Sequence, residues 1–91
     1  MTDENNLKRR FGLTVRQYRQ NQEMSQGALG ERATMQRTYI ADIERGVRNV
    51  SLTNVARLAE ALGVSLSAFF GKMDRVKLPE PVRAAGRGKK R

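Results

Sequence analysis

The stretch QGALGERATMQRTYIADIER, residues 26–45, predicts two short helices joined by a tight turn. Its apolar side chains recur at helical spacing, at Leu29, Ala33, Met35, Ile40 and Ile43. Ser25 stands just before the stretch and is a typical N-cap residue, so a helix begins at about residue 26. The predicted helices run over about 26–32 and 37–45, with a turn near residues 34–36.

The second of these helices has a polar outer face. Its members are Gln36, Arg37, Thr38, Tyr39 and Asp42. Small or apolar inner faces, with Gly30 where the two helices must cross closely, let the helices pack at a steep angle. The polar face can then reach base edges in a major groove, which is the pattern of a DNA-binding helix-turn-helix. Gly46 follows, where a helix C-cap glycine belongs.

Three further helices flank this pair. The first has its apolar face at Leu7, Phe11, Val15 and Tyr18, within residues 7–22. Ser51 caps a helix over about 52–62 that Gly63 ends, and Ser65 opens a fifth helix. No segment alternates with period two for long enough to form a strand. The sequence therefore predicts an all-α fold, a compact domain of five short helices.

The chain divides into this helix-turn-helix domain over residues 7–71 and a basic tail over 72–91. Residues 71–91 carry eight basic and two acidic side chains, a net +6, against +3 for residues 1–70. The tail contains both prolines and keeps no regular apolar period, which predicts disorder beyond about residue 77. It either adds sequence-independent attraction to phosphate or is a solvated tail without a role.

The composition favours a binding protein over an enzyme. The chain has 91 residues, with 18 Lys and Arg against 9 Asp and Glu, a formal charge of +9, and no His, Cys or Trp. The commonest general base, the thiolate nucleophiles and the usual metal ligands are therefore missing, and the few carboxylates are scattered. We expect no enzymatic activity, no metal, no cofactor and no small-molecule ligand. The basic charge points to a polyanionic partner, with nucleic acid favoured over an anionic membrane surface or an acidic protein.

Nothing in the chain indicates export or a membrane. The N-terminal MTDENN has no basic segment followed by an apolar run, as a signal peptide would. No stretch approaches the roughly 20 apolar residues that cross a bilayer. No helix combines a strongly basic face with a large apolar one, as membrane-surface helices do. We expect a cytoplasmic protein.

Several segments, in the right order and at the right spacing, resemble one family. They are VRQYR at residues 15–19, MSQ at 24–26, YIADIERG at 39–46, RNVSL at 48–52 and LAEALGVSL at 58–66. Together they resemble the Cro/repressor-type, or XRE-type, helix-turn-helix family over about residues 8–70. RTYIADIERGVRNVSL at 37–52 is most similar to the controller proteins of restriction–modification systems. The resemblance implies a bacterial or phage protein associated with double-stranded DNA.

One residue departs from the family pattern, which usually has Gly in the turn where Thr34 stands. A β-branched residue at positive φ is strained by roughly 1–2 kcal/mol. Either the turn geometry differs here, or the start of the third helix shifts and changes the orientation of Gln36.

The resemblance implies base contacts at the start of the third helix. Arg37 is expected to grip guanine in a bidentate way, and Thr38 to touch a thymine methyl or a neighbouring base. Tyr39 either contacts the sugar-phosphate backbone or is partly buried against the second helix. Gln26 is expected to bind a phosphate beside free helix amides, or it is a capping-region residue without a partner.

The loop after the third helix is expected to contact phosphates or the minor groove. Arg48 suits a narrow minor groove, whereas Asn49 is about as readily a turn residue that hydrogen-bonds its own backbone. Arg16 and Arg45 are weaker phosphate candidates.

Two further expectations concern the scaffold. Arg19 and Glu44 match a family pair that joins the first helix to the third, so we expect a partly buried salt bridge that orients the recognition helix. Leu66, Phe69 and Phe70 are assigned to a dimer interface, with one of the adjacent rings completing the core. The alternative is that the tail covers the exposed ring.

The combined expectation is a sequence-specific transcription regulator that binds an inverted-repeat operator as a homodimer. It would act as a repressor or controller protein, and the resemblance implies control of a restriction–modification operon. The alternative is an antitoxin or coactivator-like adaptor that uses the same fold to bind a protein.

Overall fold

The computed structural model describes residues 3–79 of the chain and contains five α-helices within them. They are α1 (Glu4–Asn21), α2 (Gln26–Ala33), α3 (Arg37–Glu44), α4 (Leu52–Ala61) and α5 (Leu66–Arg75). No strand occurs in the described range, so the all-α prediction is confirmed. None of its helices has the length and apolar character needed to span a bilayer.

Side-chain oxygens cap the helices where the sequence carries Ser. The hydroxyls of Ser25, Ser51 and Ser65 each accept a hydrogen bond from the backbone N–H three residues on, which satisfies one of the free donors of the first turn. α1 begins earlier than the predicted residue 7, because the Asp3 carboxylate caps it by accepting from two backbone N–H groups.

The fifth helix extends four residues beyond the predicted end of the domain at residue 71. Met73 is buried in the core, and the Arg10 guanidinium of α1 donates to the carbonyl oxygens of Met73 and Asp74. These contacts hold the last turn of α5 on α1 and satisfy carbonyls that a helix end leaves free. The predicted disorder of the tail falls almost entirely on residues 80–91, outside the described range.

Two glycines end helices as predicted. Gly46 has φ +76° and Gly63 has φ +73°, in the left-handed region that costs glycine least. After Gly46 the N–H of Val47 donates back to the Asp42 carbonyl, and after Gly63 the N–H of Val64 donates to that of Ala59. Both ends thus have the hydrogen bond of a Schellman motif.

All five helices contribute to one apolar core. Its most deeply buried members are Val15, Leu29, Ile40, Ile43, Leu58 and Phe69. The Phe69 ring lies 5.1 Å from that of Phe11 and 6.0 Å from that of Tyr18, between centroids, so it joins α5 to α1. The assignment of Phe69 to a dimer interface is therefore wrong, because this side chain has no exposed surface for a partner.

Close backbone approaches fix the position of α3. A Cβ on Gly30 would lie 2.5 Å from the carbonyl oxygen of Met35, which explains the predicted need for a small residue in α2. A Cβ on Gly12 would overlap the carbonyl oxygen of Ile43, so α1 and α3 meet at backbone distance. Gly12 was not singled out from the sequence, since a lone helical glycine carries no signal of what it faces.

Candidate nucleic-acid interface

The start of α3 presents three polar side chains to solvent. Gln36 is the N-cap residue, and its side chain makes no capping hydrogen bond, so its amide is not used by the helix. Arg37 and Thr38 follow and are also exposed. The next residue on the inner side, Ile40, is completely buried. α3 is therefore anchored by its inner face, and its first turn is available to a ligand.

In the turn before α3, Thr34 adopts the left-handed backbone conformation. Thr34 has φ 59° and ψ 50°, and α3 begins at Arg37, as predicted. Neither expected alternative occurs, because the threonine adopts the strained conformation itself and no shift of the helix start is needed. The backbone N–H of Met35 donates to the Gly30 carbonyl at 2.7 Å, which helps to hold this conformation.

An ion pair locks α3 to α1. Arg19 Nε and Nη2 donate to the two carboxylate oxygens of Glu44 at 2.6 and 3.0 Å, and the two side chains are only 11% and 4% exposed. Arg19 Nη1 also donates to the Met24 carbonyl at 2.8 Å. The hydrogen bonds that Arg19 donates to Glu44, aided by the negative charge of Glu44 and opposed by burial, raise the pKa of Arg19, which stays protonated. This is the pair that the family resemblance implied.

Gln26, at the first position of α2, faces the same pair. Its Nε2 donates to Glu44 Oε1 at 3.1 Å, so Gln26 has a partner within the protein, unlike the expected partnerless capping residue. Gln26 also lines a shallow depression with Arg16 and Arg45, which are both exposed. The phosphate contact of Gln26 remains a prediction, and its amide is held in place for it by the ion pair.

A second polar network covers the C-terminal half of α3. Asp42 accepts hydrogen bonds from Arg45 Nη2 at 2.5 Å and from Arg48 Nε at 3.4 Å. The Arg48 guanidinium lies 5.2 Å from the centroid of the Tyr39 ring, within cation–π range. The Tyr39 hydroxyl in turn accepts from Asn54 Nδ2 at 3.2 Å. Arg48 thereby ties the loop to α3, and the Tyr39–Asn54 hydrogen bond joins α3 to α4.

This network changes the expectation for Tyr39. The ring is half-buried against the core, and its hydroxyl meets α4, whereas the sequence had suggested burial against α2 or a phosphate. Asn54 was missed, because an asparagine in the first turn of a helix reads as part of a cap. Arg48 and Asn49 are both exposed in the loop, and Arg48 lies over the Tyr39 ring.

An apolar groove runs beside this loop. Its floor contains Phe11, Val55 and Met73, and its rim includes Leu7 and Phe70, which are 44% and 40% exposed. Leu66 is 42% exposed one turn before Phe70 on α5. Of the three residues assigned to a dimer interface, Leu66 and Phe70 are thus accessible and Phe69 is not. Leu7 is accessible as well, although its place in the apolar pattern of α1 predicts a position in the core.

The described residues contain no group of three or more carboxylates that could hold a metal ion. In the network of α3 and its loop, the Asp42 carboxylate and the Tyr39 hydroxyl accept hydrogen bonds from two arginines and an asparagine. The arrangement suits recognition of a ligand surface.

Comparison with known proteins places the chain in a family. A family model described as helix-turn-helix matches residues 15–69, and the chain belongs to that family, whose XRE-type members it resembled in sequence. It is 51% identical over 61 residues to the control protein C.BamHI of Bacillus amyloliquefaciens, which covers 66% of this chain and 75% of that protein.

Solved structures agree with the fold. The restriction-modification controller protein C.AhdI from Aeromonas hydrophila superposes with a TM-score of 0.72 at 35% identity, over 76% of this chain and 100% of that one. The controller protein C.Esp1396I, solved as a tetramer with its natural 35 base-pair operator, matches with a TM-score of 0.72 at 28% identity, over 76% of this chain and 91% of that one.

Proposed function

We propose that this protein is a sequence-specific DNA-binding transcription regulator that acts as a homodimer on an inverted-repeat operator, as a controller of a restriction–modification operon. The observation that carries the proposal is the exposed first turn of α3, with Gln36, Arg37 and Thr38, on a helix that a buried ion pair fixes to α1. The function needs no catalytic step. The bacterial source of C.BamHI supports action in the bacterial cytoplasm.

Base reading is assigned to Arg37 and Thr38. An arginine at the start of a recognition helix can donate both arms of its guanidinium to guanine O6 and N7, and a threonine methyl can contact thymine. Gln36 lies beside them, and its side-chain amide makes no capping hydrogen bond. Such an amide can form two hydrogen bonds to adenine N6 and N7. Recognition requires that these side chains arrive in fixed register. The close approach at Gly12 and the Arg19–Glu44 pair supply that rigidity.

Backbone contacts are assigned to the side chains around α3. Arg16, Gln26 and Arg45 surround one depression next to the N-terminus of α2, where backbone N–H groups are free to meet a phosphate oxygen. Arg48 and Asn49 are assigned to phosphates or the minor groove on the other flank. Such contacts set the register of the protein on the duplex and carry the salt-dependent part of the affinity.

Dimerisation is assigned to the apolar face of Leu7, Leu66 and Phe70. Three large apolar side chains exposed on adjoining helices are costly in water and suit a self-complementary interface. The assembly of C.Esp1396I on its operator supports an oligomer here as well. The adaptor alternative, an antitoxin or coactivator-like protein, would use the same face for a different protein and leave the first turn of α3 unused.

Selection of bound duplexes from random DNA with the full chain tests the proposal. We expect a palindrome whose half-sites are centred roughly ten base pairs apart, the spacing of one helical turn. A sequence logo without enriched positions, at salt concentrations where the protein still binds, would favour the adaptor function.

A further inference from the structure

Asp42 places a negative charge within the surface that the proposed function turns towards DNA. It lies one turn beyond Thr38 on α3. The other carboxylate of α3, Glu44, is buried in its ion pair with Arg19. Because phosphates repel a carboxylate, Asp42 by itself would weaken DNA binding, so a compensating role for this residue is expected.

The contacts of Asp42 indicate what that is. Its two oxygens take one arginine each, Arg45 at 2.5 Å and Arg48 at 3.4 Å. The carboxylate is 26% exposed, while the two arginine side chains are 63% and 51% exposed. Arg48 is held a second time by the face of the Tyr39 ring. The two cations therefore stand at the surface but are bound to the protein.

Exposed ion pairs of this kind contribute little to folding stability. Their effect on binding to a polyanion is larger, because the salt-dependent affinity for unspecific DNA rises with the number of phosphates that free cations of the protein neutralise. An arginine that must leave a carboxylate to reach a phosphate contributes less binding free energy than an arginine without such a partner. The attraction of two cations beside α3, Arg45 and Arg48, to phosphate is weakened in this way.

We propose that Asp42 sets specificity by withholding Arg45 and Arg48 from the phosphates of non-operator DNA. On the operator, the same carboxylate keeps Arg48 stacked on Tyr39. The Arg48 side chain is then already ordered when the protein binds, which lowers the entropy cost of binding. Loss of Asp42 thus adds attraction to any duplex and removes preorganisation on the operator alone. The inference rests on the proposed function, since it assigns a role within the DNA-binding surface.

The test compares Asp42→Asn with Asp74→Asn in the full chain. Both substitutions raise the net charge by one, but Asp74 is exposed on α5 and forms no ion pair within residues 3–79. Fluorescence anisotropy would measure the affinity of each variant for the selected operator duplex and for a scrambled duplex of the same composition, between 50 and 200 mM salt.

We expect Asp42→Asn to bind the scrambled duplex at least about threefold more tightly than the Asp74→Asn control at low salt. Its plot of log affinity against log salt should steepen by about one, since about one more phosphate is neutralised. The operator affinity should rise less, so that the ratio of specific to unspecific affinity falls. Asp42→Glu retains the charge and should restore most of that ratio.

Two results would overturn the inference while leaving the proposed function intact. One is equal tightening by both Asp→Asn variants, which would mean that only net charge acts. The other is equal tightening on operator and scrambled duplexes by Asp42→Asn, which would mean that no preorganisation is lost. If the unaltered chain selects no sequence from random DNA, the proposed function itself fails, and this failure is seen before any variant is made.

Discussion

At the scale of single residues, position on a helix decides more than residue type. Phe69 and Phe70 are neighbours with the same chemistry, yet one is completely buried and the other is 40% exposed. The sequence shows that both cannot face one core, but not which one does, because that depends on the rotation of α5 against α1. The Tyr39–Asn54 hydrogen bond is equally invisible, since it joins two helices through residues that follow no periodic pattern.

Thr34 is a residue at which stability can be raised without touching the proposed interface. Thr34→Gly removes the left-handed strain of a β-branched residue and should raise the free energy of unfolding by about 1 kcal/mol. Thr53→Gly is the matched control, because Thr53 is exposed within α4 and should lose a few tenths of a kcal/mol through helix propensity. Urea denaturation at equilibrium measures both. A loss of stability in Thr34→Gly would show that the turn is not strained.

At the scale of helices, local sequence signals are enough to predict where most helices begin and end. Ser25, Ser51 and Ser65 cap the helices they precede, because an N-cap needs only a side-chain oxygen three residues before a free N–H. The start of α1 was misplaced because its cap is Asp3, ahead of the first apolar residue. How α3 sits on α1 was predictable only through family resemblance, since Arg19 and Glu44 are 25 residues apart.

The Arg19–Glu44 pair should orient α3 more than it stabilises the fold. Breaking a buried pair by one substitution leaves an uncompensated charge and costs about 3–5 kcal/mol, whereas replacing both partners by apolar residues of similar size costs less. We therefore expect Arg19→Met and Glu44→Met each to lower the free energy of unfolding more than the double variant does. Thermal unfolding of the four proteins completes this cycle. Additive losses in the double variant would argue against a coupled pair.

The double variant also separates stability from orientation. It should remain folded by circular dichroism, yet bind its operator more weakly than the unaltered chain, because α3 is held less firmly. Operator affinity equal to that of the unaltered chain would show that the core alone fixes the recognition helix.

At the scale of the whole molecule, two surfaces of opposite character adjoin. The polar surface of α3 and its loop meets the apolar groove at Arg48 and Asn49, which line the groove beside Phe70. Phe70→Asp should yield monomers in sedimentation velocity, because a charge on this face cannot be buried between two copies without a large penalty. Phe70→Leu retains apolar area and should remain dimeric. A dimer mass for the Asp variant would place the interface elsewhere.

We expect the helical domain to fold without the C-terminal residues 80–91, which lie outside the described range. Removing residues 80–91 deletes five basic residues and one acidic residue but leaves Leu78, which is half-buried near Arg9 and Leu13. We expect an unchanged melting temperature and weaker affinity for unspecific DNA, with a smaller salt dependence. A fall in melting temperature would show that these residues contribute to the fold.

The central claim is that the first turn of α3 reads bases, and the Arg37→Ala variant tests it most directly. Its affinity for the selected operator and for a scrambled duplex would be compared with that of Arg75→Ala, an exposed arginine of α5 that loses the same charge. The account predicts a loss of about 1–3 kcal/mol on the operator, a relaxed preference at one base position, and little change on the scrambled duplex. An equal loss on both duplexes would contradict base reading by this helix.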